Sequence, residues 1–280
     1  MDLISGALAL AESSLRIFPC HYPIFKYDGS VICSCYKRER CKSIGKHPAF
    51  KGWQKDATNN PSIIRKIWTK NPKYNIGILT GEPNNIDVLD VDPKNNGLQE
   101  LDNLEKENEP FPLTTKARSG SGGLHLFFIH TPGPRNNNDG KIKPGIDFKT
   151  TGGYIIAPPS KHPSGNYYQW LNAVSPALPP DWFVELLFRE FPPQYSKQRR
   201  DKKYWTSLAY GTAEGDRHNA IASIAGLLLN DTNLKSKELA IALVHGFNQV
   251  CCKPPKSEEE VDSIIRYIGK EHQKNNDKRN

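Results

Sequence analysis

The stretch Ile86-Asp87-Val88-Leu89-Asp90-Val91-Asp92 limits what this chain can fold into more than any other. Its apolar residues read as a buried strand, and Pro93 to Gly97 as the turn that ends it. Side chains alternate between the faces of a strand, so Asp90 and Asp92 point to the same side. Carboxylates within an apolar strand are costly unless cations or hydrogen bonds satisfy them. Hard oxygen donors placed this way suit Mg²⁺ or Mn²⁺, and two such ions about 4 Å apart serve phosphoryl transfer. Asp-Val-Asp alone also describes two ordinary carboxylates at a strand end.

Other elements follow from periodicity. Leu3 to Leu15 reads as an amphipathic helix, and Phe18 to Trp53 as an irregular segment crowded with Cys, His, Lys and Arg. A helix over 60–71 delivers the chain into a strand at Asn75 to Gly81. A further helix from Leu98 leads to Lys116-Ala117-Arg118, a glycine-rich turn and the strand Leu124 to Ile129. Strands are expected at Ile146 to Lys149 and Tyr154 to Ala157, and a helix at Trp182 to Phe191. From Tyr204 the spacing becomes helical, with the last helix capped by Ser257 and Glu260. The expected organisation is a core over 1–192 with an insertion at about 33–47, a basic linker over 193–203, a helical domain over 204–272 and a frayed tail over 273–280.

The loop Arg118-Ser119-Gly120-Ser121-Gly122-Gly123 directly precedes His125. Glycines let backbone N–H groups close on phosphate oxygens, with Arg118 adding charge. No Gly-Lys-Ser/Thr follows, which excludes a Walker A motor loop, and the spacing is not a dinucleotide fingerprint. Asp147 is a third candidate carboxylate. Lys149, Thr151, Gly152 and Gly153, then Ser160, His162 and Tyr168, are candidates to line a triphosphate, sugar or base, with exposed polar turns as the alternative. Trp53, Trp170 and Tyr168 are candidates for base stacking or for the core.

A net charge of +8 favours a polyanionic partner such as nucleic acid, because Lys and Arg release counterions from phosphates. No apolar run is long enough for a membrane span, and no secretory leader is evident, so an intracellular location is expected for six reduced cysteines. Cys33, Cys35, Cys41 and His47 form a thiolate-imidazole set suited to zinc, although Cys-x-Cys is tighter than the usual spacing. Cys20 and His21 are reserve ligands, and Cys251 and Cys252 read as packing residues.

In order, Asn75-Ile76-Gly77-Ile78, Asp90-Val91-Asp92, Ser119 to His125, Gly145-Ile146-Asp147-Phe148-Lys149 and Ala157-Pro158-Pro159-Ser160 resemble the bifunctional primase-polymerase family of the archaeo-eukaryotic primase superfamily. The resemblance covers about 10–190. It implies an α+β primase-type catalytic core with a mixed sheet like an RNA-recognition motif, followed by a small all-α domain. It implies that Asp90, Asp92 and Asp147 bind the catalytic metals and that His125 contacts the incoming nucleotide. Related primases often carry a zinc element beside the core. Residues 204–270 resemble the helical primase C-terminal domain, through Glu214-Gly215-Asp216-Arg217-His218-Asn219 and Cys251 to Pro255, making Arg217 and His218 candidate template or nucleotide contacts.

The expected function is therefore a primase and DNA polymerase that makes or extends primers on single-stranded DNA from ribo- or deoxyribonucleoside triphosphates. The setting would be a plasmid, phage or mobile element, with a helicase supplied in trans. A replication-initiation binding module and a metal-dependent nuclease are the alternatives. The glycine-rich loop with Arg118 and Lys149 favours a triphosphate over a nuclease substrate.

Overall fold

The computed structural model describes residues 2–133, 142–190, 202–213, 216–229, 231, 234 and 236–277, with side chains as far as Gly269. The chain divides into two compact units, Met1–His130 with Arg135–Phe191, and Thr131–Pro134 with Pro192–Asn280.

In the first unit the order is α1 (Leu3–Glu12), β1 (Ile17–Cys20), β2 (Pro23–Phe25), β3 (Val31–Cys33), α2 (Trp53–Asp56), α3 (Pro61–Lys70), β4 (Asn75–Leu79) and β5 (Ile86–Val91). It continues through α4 (Gly97–Glu107), β6 (Lys116–Arg118), β7 (Leu124–Ile129), β8 (Ile146–Lys149), β9 (Tyr154–Ala157), β10 (Gln169–Trp170) and α5 (Asp181–Glu190). Local chemistry sets the ends. The Asp2 carboxylate accepts from the Ser5 N–H at 2.8 Å and caps α1. That helix stops short of Leu15 because Ser14 turns left-handed, at φ 63°. Asn60 caps α3, with Pro61 in the first turn, where its missing N–H costs nothing.

The segment expected to be irregular from Phe18 instead holds β1, which pairs antiparallel with β4, and the hairpin β2–β3. Two features conceal β1 in the sequence: it is only four residues long, and it contains Pro19. Pro19 is tolerated because β1 lies at the edge of the sheet β1-β4-β9.

The larger sheet has the order β10-β6-β7-β5-β8. Its ladders are all antiparallel, with β6 returning to β7 through the turn Ser119 to Gly123. One parallel contact, the isolated bridge Phe128 to Ala177, adjoins it. Leu89, Val91, Leu126, Phe128, Ile146 and Phe148 face α4 and α5, where Phe183 and Leu187 are fully buried. On the opposite face Ile86, Val88, Ala117 and Phe127 join residues of α1, α3, β1, β4 and β9. Each fully buried aliphatic or aromatic side chain stabilises the unit by about 1.5–3 kcal/mol. With one face closed by helices, polar groups on the other face reach solvent only where its apolar packing ends.

The second unit contains α6 (Lys202–Ala209), β11 (Thr212–Ala213), α7 (Arg217–Leu229), α8 (Lys237–Cys251), β12 (Cys252–Lys253) and α9 (Glu258–Asp277). Ala225, Val244, Val261 and Ile264 are among its buried residues. It is helical as expected, but not purely so, since β11 and β12 form a short parallel pair. The expected cap is present: Ser257 Oγ accepts from the Glu260 N–H at 3.3 Å, and the Ser257 N–H donates to Glu260 Oε2 at 3.0 Å. The last helix runs to Asp277, into the tail expected to fray, because no Gly or Pro after Gly269 interrupts its hydrogen bonds. Most of the expected linker, Glu214 and Gly215 of the expected motif, and 278–280 lie outside the described residues.

Candidate active site

Strand register assembles the acidic centre. Asp90 on β5 is directly opposite Asp147 on β8 and His125 on β7, which puts three polar side chains in one row across the sheet. His125 Nε2 lies 3.4 Å from Asp90 Oδ1, and Lys149 Nζ lies 3.0 Å from Asp147 Oδ2. Burial pushes the Asp90 carboxyl up, but His125, Lys149 and Lys46 outweigh it and hold the group below the usual carboxylate range. The buried His125 Nδ1 has no hydrogen-bond partner among the described residues.

Asp92 follows at the strand end. Its N–H donates to the Gly145 carbonyl at 2.7 Å, and its Oδ1 accepts from the Lys94 N–H at 3.0 Å. Gly97 lets these backbones meet, since a Cβ there would lie 2.5 Å from the carbonyl oxygens of both Asp92 and Gly145. Gly97→Ala is expected to cost about 1–3 kcal/mol by overpacking and to weaken catalysis by displacing Asp92. Thermal melting and primer extension check this, and a variant that matched the native chain in both would show that the backbone relaxes freely.

These groups open on a cavity of about 350 Å³ lined by Asp90, Asp92, Ser119, Ser121, His125 and Lys149, with Lys46, Gly152, Gly153 and Tyr168. Gly122 turns the loop at φ +91°, and the Gly123 N–H donates to Ser119 Oγ at 3.0 Å. Of the expected nucleotide residues, Ser119, Ser121, His125 and Lys149 are among the lining residues, and Gly122 and Gly123 are not. Asp147 is beside Asp90 but is not among the lining residues. Arg118 is exposed outside the lining, with β10 alongside.

Ser160 turns inward instead: it is fully buried, and its Oγ accepts from the Ile76 N–H at 2.9 Å. That bond satisfies a β4 amide, which explains the residue without a ligand. His162 is also outside the lining. Its ring packs where a Cβ on Gly120 would collide, and its Nδ1 accepts from the Ser164 N–H at 3.0 Å. Burial, then the charges of Lys46 and Lys94, push its pKa down to about 4 from an ordinary 6.5. The unfolded chain thus binds the proton more readily between these values, so His162 makes stability fall as pH drops from about 6.5 to about 4. His162→Gln is expected to flatten that part of the melting-temperature profile; an unchanged slope would remove His162 as its source.

Tyr168 is buried between His125 and His162, with ring centroids 5.8 Å from each. Trp53 packs on Phe18 and Tyr154, a core role, while Trp170 is 40% exposed. Arg217 is only 7% exposed and donates from Nη1 to the Pro254 carbonyl at 2.7 Å, bracing the start of α7 rather than presenting itself at the surface. His218 is partly buried beside it in the chain.

The cysteine-rich segment folds around four donors. Cys33, Cys35 and Cys41 Sγ and a His47 ring nitrogen all lie within 4.8 Å of one another. Cys20 and His21 are not part of the set: Cys20 is packed with Phe18 and Leu79, and His21 Nδ1 pairs with Ser34 Oγ at 2.9 Å. Cys252 is buried, as a packing residue should be. Lys46, next to His47, is the cleft residue the motifs did not reveal, being brought in by tertiary structure. Burial lowers its pKa, against the opposing charges of Asp90 and Asp92.

Among the described residues no helix is long and apolar enough to cross a membrane. The family model for the N-terminal region of bifunctional DNA primase/polymerases matches residues 7–182, and that for the primase C terminal 1 region matches 206–274. No curated protein matches the chain. With more than half its length covered, and the acidic row and glycine-rich loop inside the matched region, the chain belongs to the bifunctional DNA primase/polymerase family.

Proposed function

We propose that this chain makes or extends primers on single-stranded DNA by transferring nucleotides from nucleoside triphosphates to a 3′-hydroxyl. One observation carries the reading: Asp147, Asp90 and His125 stand in register across β8, β5 and β7, beside a cleft lined by serines, glycines and lysines. Asp90 and Asp92, with Asp147 adjacent, fit a hard cation, since Asp90 is held in its anionic form and all three offer oxygen. Bound Mg²⁺ or Mn²⁺, as a pair, would supply activation of the hydroxyl and neutralisation of the leaving group.

The chain's own residues bind and orient the substrate. Ser119 and Ser121, which line the cleft, offer hydroxyl donors to phosphate oxygens, while the Gly122 and Gly123 N–H groups hold the loop in shape by bonding back to Ser119. Lys149 is held by Asp147 at the cleft wall, and His125 lines the cleft beside Asp90 with its buried Nδ1 unpartnered among the described residues. Since phosphoryl transfer depends mainly on positioning and charge stabilisation, this inventory suffices without a protein nucleophile. The donor-rich cleft favours a triphosphate over the water of a nuclease.

The Cys₃His set fits structural zinc in donor type and in the mutual closeness of its atoms. The net charge of +8 suits the template and primer backbones, and the helical unit is assigned to assisting initiation. An intracellular replication setting with a helicase in trans completes the proposal. De novo synthesis on single-stranded DNA, with labelled nucleotides and Mg²⁺ or Mn²⁺, tests it against Asp92→Asn. Product from the native chain alone is expected. No product even from a supplied primer, with DNA still bound tightly, would transfer the assignment to a binding module.

A further inference from the structure

Lys46 joins two features otherwise separate in the sequence. Its side chain lines the cleft with Asp90, Asp92 and Ser119, while its chain neighbour His47 belongs to the thiolate cluster. Its backbone is held from both sides. The Gly45 carbonyl accepts from Asn75 Nδ2 at 2.9 Å, and the Gly45 N–H donates to Cys33 Sγ at 3.5 Å. The Lys46 carbonyl accepts from the Tyr154 hydroxyl at 3.0 Å. His47 Nε2 lies 3.4 Å from the Sγ of both Cys33 and Cys41. Gly45 itself turns at φ +67°, and a Cβ there would press on Pro23. Lys46 thus begins from an anchored backbone at the wall of the cleft.

Lysine suits this place as a point charge on a long stem, worth most to a phosphate when its root is fixed beforehand. Lys149, the other lysine of the cleft, already pairs with Asp147, whereas no ion pair holds Lys46 among the described residues. We propose that a metal held by Cys33, Cys35, Cys41 and His47 fixes Lys46 as a phosphate contact for the incoming nucleoside triphosphate, so that filling the thiolate site tightens nucleotide binding. The metal acts on the backbone next to its His47 ligand, and Lys46 carries the effect into the cleft. This inference rests on reading the cleft as the nucleotide site.

The experiment is a double-mutant cycle on the full chain, read as the Kd of a fluorescent deoxyadenosine triphosphate in Mg²⁺ and as zinc bound per chain. Lys46→Ala should keep its zinc and bind nucleotide about tenfold more weakly, the loss expected for one charge-assisted contact. Lys46→Arg should restore much of the affinity. Cys41→Ser should lose zinc and weaken nucleotide binding similarly, and the double variant should bind no more weakly than either single one. Native affinity in Lys46→Ala, or losses that multiply in the double variant, would overturn the inference.

Should Cys41→Ser fail to fold, zinc is stripped from native and Lys46→Ala chains and Mg²⁺ is restored. Stripping is expected to weaken the native chain and leave Lys46→Ala unchanged. An equal loss in both would sink the proposal. A native chain that binds no nucleoside triphosphate would overturn the primase-polymerase reading itself, and this inference with it.

Discussion

Asp90→Asn is expected to lower nucleotide incorporation by about 10³-fold or more while the protein remains folded. Metal-assisted charge stabilisation contributes several kcal/mol to such a transition state, and each 1.36 kcal/mol is about a factor of ten. The substitution keeps the shape of the side chain but removes the anion that His125, Lys149 and Lys46 surround. Asp90 is 34% exposed to the cleft, so replacing it leaves no sealed, uncompensated charge in the core. The melting temperature should therefore stay near the native value or fall modestly, because the anion's favourable interactions with His125, Lys149 and Lys46 are lost. Near-native incorporation by this variant would remove Asp90 from the reaction.

On the other face of the same strand, Asp87→Ala is expected to behave in the opposite way, costing about 3–5 kcal/mol of stability. Asp87 is 1% exposed, and its Oδ1 lies 2.8 Å from Nδ1 of the buried His130. Loss of the carboxylate leaves that ring inside the core without its strongest acceptor. Thr150 Oγ1 also lies 3.3 Å from that nitrogen. Denaturant unfolding of the full chain checks the cost, and activity per folded molecule should change far less than in Asp90→Asn. A stability loss under about 1 kcal/mol would mean that the pair is nearly neutral.

The contrast between Asp90 and Asp87 was legible to the extent that a strand has a period of two. Periodicity placed β5, β7 and β9 because each is rich in apolar residues with Gly, Pro or Asn nearby, and β8 because Ile146 and Phe148 alternate with Asp147 and Lys149 after Gly145. It missed β1, whose four residues include Pro19 and gain their pairing from β4, far along the chain. The cysteine-rich set was legible from donor type and spacing, and the structure brings its four members together. The burial of Ser160 was not legible, because an exposed hydroxyl after two prolines and one buried against the Ile76 N–H have the same local sequence. Nor did the sequence reveal that Arg217 is buried, with Nη1 donating to the Pro254 carbonyl.

The sequence by itself determined the alternation that puts Asp90 and Asp92 on one face, the glycines that let the Ser119 to Gly123 loop turn, and the chemical kinds of donor available. These are properties of neighbouring residues and of backbone sterics. Only the tertiary structure decided that Asp147 and His125 flank Asp90, that Asp87 is sealed against His130, and that Lys46 reaches the cleft from the cysteine-rich segment. Those are contacts between residues 35 or more apart in the chain, set by strand register and by which apolar faces close on one another.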